Sequence, residues 1–286
     1  MPARDTNAGA VGHSRAARWS LRTVALAYLV MVLLAPLVFI LYRTFEHGFD
    51  TFWTAVTSDA ALHALWLTVV ITAITVPLNT VFGVTAALIL VRRRVPGRTL
   101  ISALIDLPLA LSPVVVGLCV VIVWGRSGWL GGYAEDAGVQ VLFAVPGMVL
   151  ATIFVCIPFV VREVVPVLRE VGTDQEEAAS TLGASSAQTF WRITLPAIRW
   201  GVIYGVILTT ARALGEYGAV AVVSGQISGN TETMTLFVKQ QYDQLGTDAR
   251  VGAYGASVVL ILLAVIVVVL MNLLNRKGGG RGDHGV

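Results

Sequence analysis

Arg212 and Glu216 stand four residues apart inside an apolar run, Ala211-Arg-Ala-Leu-Gly-Glu-Tyr-Gly-Ala219. On a helix that spacing puts both side chains on one face, where they can neutralise each other. A charge at the centre of a bilayer costs about 2.5–3.5 kcal/mol on insertion scales, so such a pair needs a reason. The residue types allow two: a self-neutralised structural pair, or a pathway lining in which Arg212 lowers the barrier for an anion. An earlier apolar run holds Asp106, Pro108, Ser112, Pro113 and Gly117. Two prolines interrupt the backbone ladder there, and such breaks are tolerated where they face protein or a water-filled cavity. Arg212, Glu216, Asp106 and Ser112 are therefore the candidate pathway residues. Asp106 has a plainer alternative, a partner among the arginines at the span ends. No catalytic set accompanies them. His13, His47, His63 and His284 lie near run ends or in tails, and Cys119 and Cys156 lie in apolar runs without histidine neighbours. That excludes a nucleophile–base pair, a metal site and a disulfide framework as readings.

The elements that must position these residues follow from composition. The chain has 286 residues, 56% hydrophobic and 13% charged. A soluble domain is about 25% charged, so most of this chain needs an apolar solvent. A spanning helix takes about 20 apolar residues, and the sequence offers runs near 23–42, 62–91, 99–124, 147–168, 200–223 and 251–275. The expected fold is all-α and polytopic, with six transmembrane helices. Its parts are an N-terminal tail (1–22), a transmembrane domain (23–275) and a C-terminal tail (276–286). The first run is too long and too bulky at its end for a signal peptide, so it reads as a retained helix. Of the 20 basic residues, the tails and the second-to-third and fourth-to-fifth connections carry most, including Arg92, Arg93, Arg94, Arg98, Arg162, Arg169, Arg192 and Arg199. The other connections hold Arg43, Arg126, Lys239 and Arg250. Cytoplasmic loops are the Lys/Arg-rich ones, so both termini are expected in the cytoplasm. Trp53, Trp129 and Tyr133 then fall outside, as interfacial anchors. Basic residues spread between apolar runs make no nucleic-acid face. Pro77 with Asn79 weakly marks the second span, and Gly201 with Gly205 suits close helix packing.

The connection from Glu170 to Arg199 is far more polar than its surroundings, and an unstructured loop of that length is uncommon. Thr173 with Glu176, and Ser185 with Gln188, have capping-box spacing. Between them Gly183 suits a left-handed helix stop. The expected form is helix, glycine turn, helix, with the second helix carrying Phe190, Trp191 and Ile193 and closed by Pro196. An amphipathic helix lying on lipid is the alternative, although those favour basic polar faces and the first helix here is acidic.

This loop resembles that of the binding-protein-dependent ABC importer permeases, which carry Glu-Ala-Ala, three residues, Gly, nine residues, Ile, one residue, Leu-Pro. Here Glu177, Ala178, Ala179, Gly183, Ile193, Leu195 and Pro196 match every interval. The resemblance implies a coupling loop that docks in a cleft of a separate ATP-hydrolysing subunit, with Glu177 meeting a basic group and the two alanines allowing close approach. No phosphate-binding loop is present, since neither Lys239 nor Lys277 follows the required glycines. ATP and Mg would be bound by the partner ATPase, and this chain would be no enzyme.

A narrower resemblance, from about Trp66 to Leu274, is to the sulfate and thiosulfate permeases. It rests on Asp106-Leu-Pro-Leu-Ala-Leu-Ser-Pro-Val-Val-Val-Gly117, Phe190-Trp-Arg-Ile-Thr-Leu-Pro196 and Ala211 to Val220. The stretch Phe143–Val167 is closer to the W type than to the T type. The resemblance implies a T-type permease as heterodimer partner, two ATP-binding cassette subunits, an extracytoplasmic sulfate-binding protein and the bacterial inner membrane. Molybdate permeases share much of the Arg212 motif, so a molybdate or tungstate importer is the alternative substrate reading. A secondary transporter would need coupling-ion sites on internal repeats, and residues 1–143 and 144–286 show none.

Overall fold

Long runs of aliphatic residues can satisfy their backbone hydrogen bonds in lipid only by coiling into helices. The structure, a computed structural model, describes residues 15–279, and every regular element among them is helical. The tail positions 1–14 and 280–286, with Arg4, His13, Arg281 and His284, lie outside the described residues. Helix α1 (15–45) contains a π-helical turn at Val30–Leu34. It is followed by α2 (Phe49–Val56), α3 (Asp59–Arg92), α4 (Arg98–Ala110), α5 (Pro113–Trp124), α6 (Gly131–Asp136) and α7 (Val145–Val171). The second half comprises α8 (Asp174–Thr181), α9 (Ser186–Leu214, with a second π-helical turn at Phe190–Thr194), α10 (Gly218–Val223), α11 (Met234–Asp243) and α12 (Thr247–Gly279). Five helices are long and apolar enough to cross a membrane: α1, α3, α7, α9 and α12. The bent pair α4–α5 makes a sixth if counted as one span.

Two of the expected spans differ from a simple rod. The third turns through 112° between α4 and α5. Pro108 stays inside α4, whereas Pro113 opens α5, with Leu111 and Ser112 both extended ahead of it. A residue before proline is disfavoured in the helical region; Ser112 has left it ahead of Pro113, whereas Leu107 ahead of Pro108 remains helical. The fifth span starts earlier than expected and stops sooner. It is continuous with the second loop helix, so Pro196 does not close that helix. It breaks after Leu214, and 218–223 form a separate short helix.

The reason Pro196 is tolerated is visible one turn earlier. A proline inside a helix lacks a donor and crowds the carbonyl four residues back. Just before it, the amide of Leu195 reaches back five residues to the carbonyl of Phe190, which widens the helix locally. The same device precedes Pro36, where the amide of Ala35 bonds to the carbonyl of Val30. A π-turn of this kind absorbs the ring without ending the helix.

Helix α7 is the hub. Val160 on it is met by Gly83 of α3 and Gly205 of α9, so closely that a Cβ on either glycine would fall 2.5 and 2.8 Å from α7 atoms. Gly201 makes a similar approach to the carbonyl of Glu163, which gives the Gly201/Gly205 spacing its packing role. Val84, Ala87, Val160, Val164, Leu168 and Ile198 close a core around this junction. The apolar window of α1, by contrast, has no buried residue within the chain. Trp53, Trp129 and Tyr133 are all well exposed, as anchors must be.

Overfilling such a junction costs about 1–3 kcal/mol. Gly205→Val should lower the thermal midpoint and the yield of purified protein. Gly215→Ala, whose added Cβ would meet only the Ala211 carbonyl at 3.6 Å, should leave both unchanged. Size-exclusion yield and thermal unfolding in detergent check the contrast.

Candidate functional site

The two broken spans meet. A Cβ on Gly218, at the start of α10, would lie 2.9 Å from the Pro113 Cβ at the start of α5, and one on Gly117 would lie 2.7 Å from the Ala219 carbonyl. Arg212, in the last turn of α9, touches Glu216 in the break, Nη1 to Oε2, at 2.6 Å. This contact lies off the line a directed hydrogen bond needs, so it is chiefly Coulombic. The other carboxylate oxygen, Oε1, accepts the Ala219 amide at 2.8 Å, capping α10, and the Glu216 carbonyl accepts the Thr235 hydroxyl at 2.7 Å. Glu216 is thus spent on its own chain. Its side chain is 1% exposed, against 29% for Arg212.

The depth of the pair follows from the packing. Helices α7 and α9 run antiparallel, Gly201 against Glu163 and Gly205 against Val160. Continuing that register brings Arg212 close to Cys156, whose neighbours do include both charges. Cys156 lies about 16 Å along α7 from its first residue, Val145, at 1.5 Å per residue. That is close to half of a hydrocarbon core about 30 Å thick.

Of the four candidate pathway residues, Arg212 and Glu216 come together at mid-depth. Ser112, exposed and making no cap hydrogen bond, precedes the Pro113 that packs on Gly218, two residues beyond Glu216. Asp106 does not join them. It accepts from Arg162 at 2.8 Å, its plainer alternative, and lines a cavity of about 280 Å³ with Ser102, Arg162 and Arg169, nearer the end that bears the 170–199 loop.

The loop has the expected helix, turn, helix form. Gly183 has φ +83°, a region closed to proline and strained for other L-residues. The second capping box is complete: Ser185 Oγ accepts the Gln188 amide, while Gln188 returns its Oε1 to the Ser185 amide. The first is not formed. Thr173 has a helical backbone and donates its hydroxyl to Glu177 at 2.7 Å, because the Glu176 carboxylate is drawn to Arg92. Glu177 and Ala178 are exposed and Ala179 faces the body; Ile193 and Leu195 are half-buried, and Pro196 is exposed. Leu182 is 87% exposed and Trp191 66%. Both are apolar side chains left exposed on the loop that also exposes Glu177 and Ala178. Leu182 carried no motif signal, and an exposed leucine next to a glycine turn was the clue available.

A further group was not signalled by the sequence. Glu232, before α11, is 1% exposed and neither carboxylate oxygen has a hydrogen-bond partner. Burial pushes its pKa up from the ordinary 4.5, with the nearby Ser228 hydroxyl pulling weakly the other way.

Residues 79–278 match the family described as the binding-protein-dependent transport system inner membrane component. The chain belongs to that family. The permease is 52% identical over 243 residues to the sulfate transport system permease protein CysW of Synechocystis sp., covering 85% of this chain and 87% of that one. It is 45% identical to the protein of the same name in Escherichia coli, over 80% of each chain. Its fold is that of a bacterial alginate ABC transporter solved in complex with alginate pentasaccharide-bound periplasmic protein, with TM-score 0.75, 17% identity, and 91% and 93% of the two chains covered. The permease is a multi-pass membrane protein and a transport component, not an enzyme.

The Glu232 geometry gives a stability prediction with a definite sign. Its raised folded pKa means that the folded state holds a proton which the unfolded state releases above about pH 4.5. Stability is then complete below the ordinary value and falls as pH rises through it toward the raised one. Glu232→Gln should lift the thermal midpoint at pH 7–8 and match wild type near pH 4. Identical pH slopes for the two proteins would sink this account.

Proposed function

We propose that this permease carries sulfate, with thiosulfate as a related substrate, and that its 170–199 loop couples the path to a separate ATPase. The support for the coupling is one continuous element. The docking surface at Glu177, Ala178, Leu182 and Trp191 leads through the Gly183 turn into α9, which runs unbroken for 29 residues from Ser186 to Leu214. At 1.5 Å per residue that is about 43 Å, and it ends at the Arg212–Glu216 break. A push at the loop would therefore be delivered to the candidate pathway residues Arg212 and Glu216. Two ATP-binding cassette subunits, each holding ATP and Mg, would supply that push, and a T-type permease would complete the path as heterodimer partner.

The substrate reading rests on the relatives' names and on chemistry that suits a tetrahedral anion. Arg212 keeps part of its side chain uncovered while its partner is buried, and it stands where two helix breaks replace regular backbone. Selectivity would reside mainly in an extracytoplasmic sulfate-binding protein. The arginines at the ends of α3 and α7 and within the loop share one end of the bundle, which by charge is the cytoplasmic one. Both termini would then be cytoplasmic, in the inner membrane of a bacterium.

Deleting the gene and measuring radiolabelled sulfate and molybdate uptake, with plasmid rescue, tests this. Sulfate uptake alone should be lost, restored by wild type and not by Gly183→Pro, which cannot adopt φ +83°. Arg212→Gln should assemble and slow sulfate uptake about ten-fold, the effect of a 1.4 kcal/mol higher barrier. Loss of molybdate uptake alone would overturn the substrate, and full-rate uptake by an assembled Arg212→Gln variant would remove Arg212 from the path.

A further inference from the structure

At the loop-bearing end of the bundle one guanidinium ties four segments together. Arg92, in the last turn of α3, meets the Glu176 carboxylate with two bonds, Nε to Oε2 at 2.9 Å and Nη2 to Oε1 at 3.2 Å. The same side chain donates to the Leu168 carbonyl at 3.0 Å and to the Gly172 carbonyl at 2.6 Å. These are carbonyls at the C-terminal end of α7, which lack helical partners and carry the negative end of the dipole. Glu176 in turn accepts the Thr194 hydroxyl at 2.8 Å, from the π-turn of α9. The two side chains are only 15% and 20% exposed.

The remaining hydrogen bonds of α8 show what this arrangement carries. The Glu177 amide, the Ser180 and Thr181 hydroxyls and the Leu182 amide all find partners inside the loop. Among the described residues, the α8 side chain whose hydrogen bonds leave the loop is Glu176. A force applied to the exposed face of α8 therefore reaches α3 and α7 through Glu176 and Arg92, and the π-turn of α9 through Glu176 and Thr194.

We propose that Arg92 and Glu176 form the clamp that transmits ATPase motion from the coupling helix into the membrane bundle. This rests on the coupling reading of the loop given above. Arg92 is a positioning residue: it lies behind the docking surface and acts on the path through α3, α7 and the Glu176 carboxylate. A planar fork suits the role where an ammonium does not, because four donors must reach two carboxylate oxygens and two carbonyls at once. Removing either partner leaves the other charge half-buried without its counter-ion, so the loop helix should stay attached by its chain yet move without the bundle.

The test uses the whole importer in proteoliposomes, with its ATPase, partner permease and binding protein, and reads ATP hydrolysed per sulfate imported. Arg92→Lys and Glu176→Gln should assemble with normal amounts of ATPase, and the ratio should rise about five-fold or more, the lower end of what coupling between two sites carries. The double variant Arg92→Gln/Glu176→Gln should be no worse than the worse single, since both belong to one unit. Wild-type ratios in assembled variants would overturn the clamp while leaving the coupling loop standing. Failure of even Arg92→Lys to assemble would make the pair a folding bridge and equally overturn it. Failure of any ATPase to copurify with the wild-type chain would instead refute the coupling reading itself.

Discussion

Inside a bilayer a backbone amide or carbonyl has no water to turn to, and several irregular stretches of this permease answer that constraint. Pro36, in the first span, follows a π-turn whose five-residue hydrogen bond makes room for the ring, and the same turn precedes Pro196 at the loop end of α9, outside the membrane. The break after Leu214 is closed by Glu216, which caps the Ala219 amide, and by Thr235, which donates to the Glu216 carbonyl. Thr68 uses its hydroxyl twice, donating to the Ala64 carbonyl and accepting the Met234 amide. Asn79 donates across to the Ile153 carbonyl. Many polar side chains in the spans are therefore backbone partners. A polar residue here earns a transport role only when it has capacity left over.

That criterion separates Arg212 from Glu216. The carboxylate is enclosed, with one oxygen on a helix amide and the other against the guanidinium. The arginine side chain is the partner with surface to spare. Its charge is already partly answered, so an anion would be attracted without being trapped. A conducting site needs that compromise, favourable enough to enter and weak enough to leave. The Asp106–Arg162 pair is more exposed on both sides, at 39% and 57%, and opens onto the cavity near the loop. It resembles a surface ion pair, whose typical net worth is about 0–1 kcal/mol.

What could be read in the sequence was what short-range rules decide. The number of apolar runs, the Gly183 turn and the Ser185–Gln188 cap depend on neighbours within a few residues, and each is found in the structure. What could not be read depends on distant partners. Thr173 with Glu176 has the same spacing as the second box, yet Glu176 is claimed by Arg92, 84 positions away. Asp106 finds Arg162 across 56 positions. Two prolines five apart in the third run gave no means of telling which one ends a helix. The difference is that Pro108 stays within α4 with its own ring buried, while Pro113 starts a new axis. Arg92 counted only as one more basic residue beside Arg93 and Arg94. Its four hydrogen bonds require α3, α7 and α8 to be already assembled.

The tightest packing and the sharpest breaks are arranged along one line. Helix α9 begins at an exposed loop, crosses α7 at Gly201 and Gly205 where α9 itself adds no side chain to the contact, and stops where α5 and α10 start. Beyond that contact the arm remains stiff up to Leu214. The chain then yields at Gly215–Tyr217, three residues outside any helix. A small displacement of the loop is thus resisted by helix stiffness along α9 and relaxed at the break, which is also where Arg212 is held. The backbone discontinuity beside Arg212 thus stands at the far end of α9 from the loop, with its hydrogen bonds repaired by Glu216 and Thr235, and in the coupling reading proposed above it is where motion of the loop would arrive.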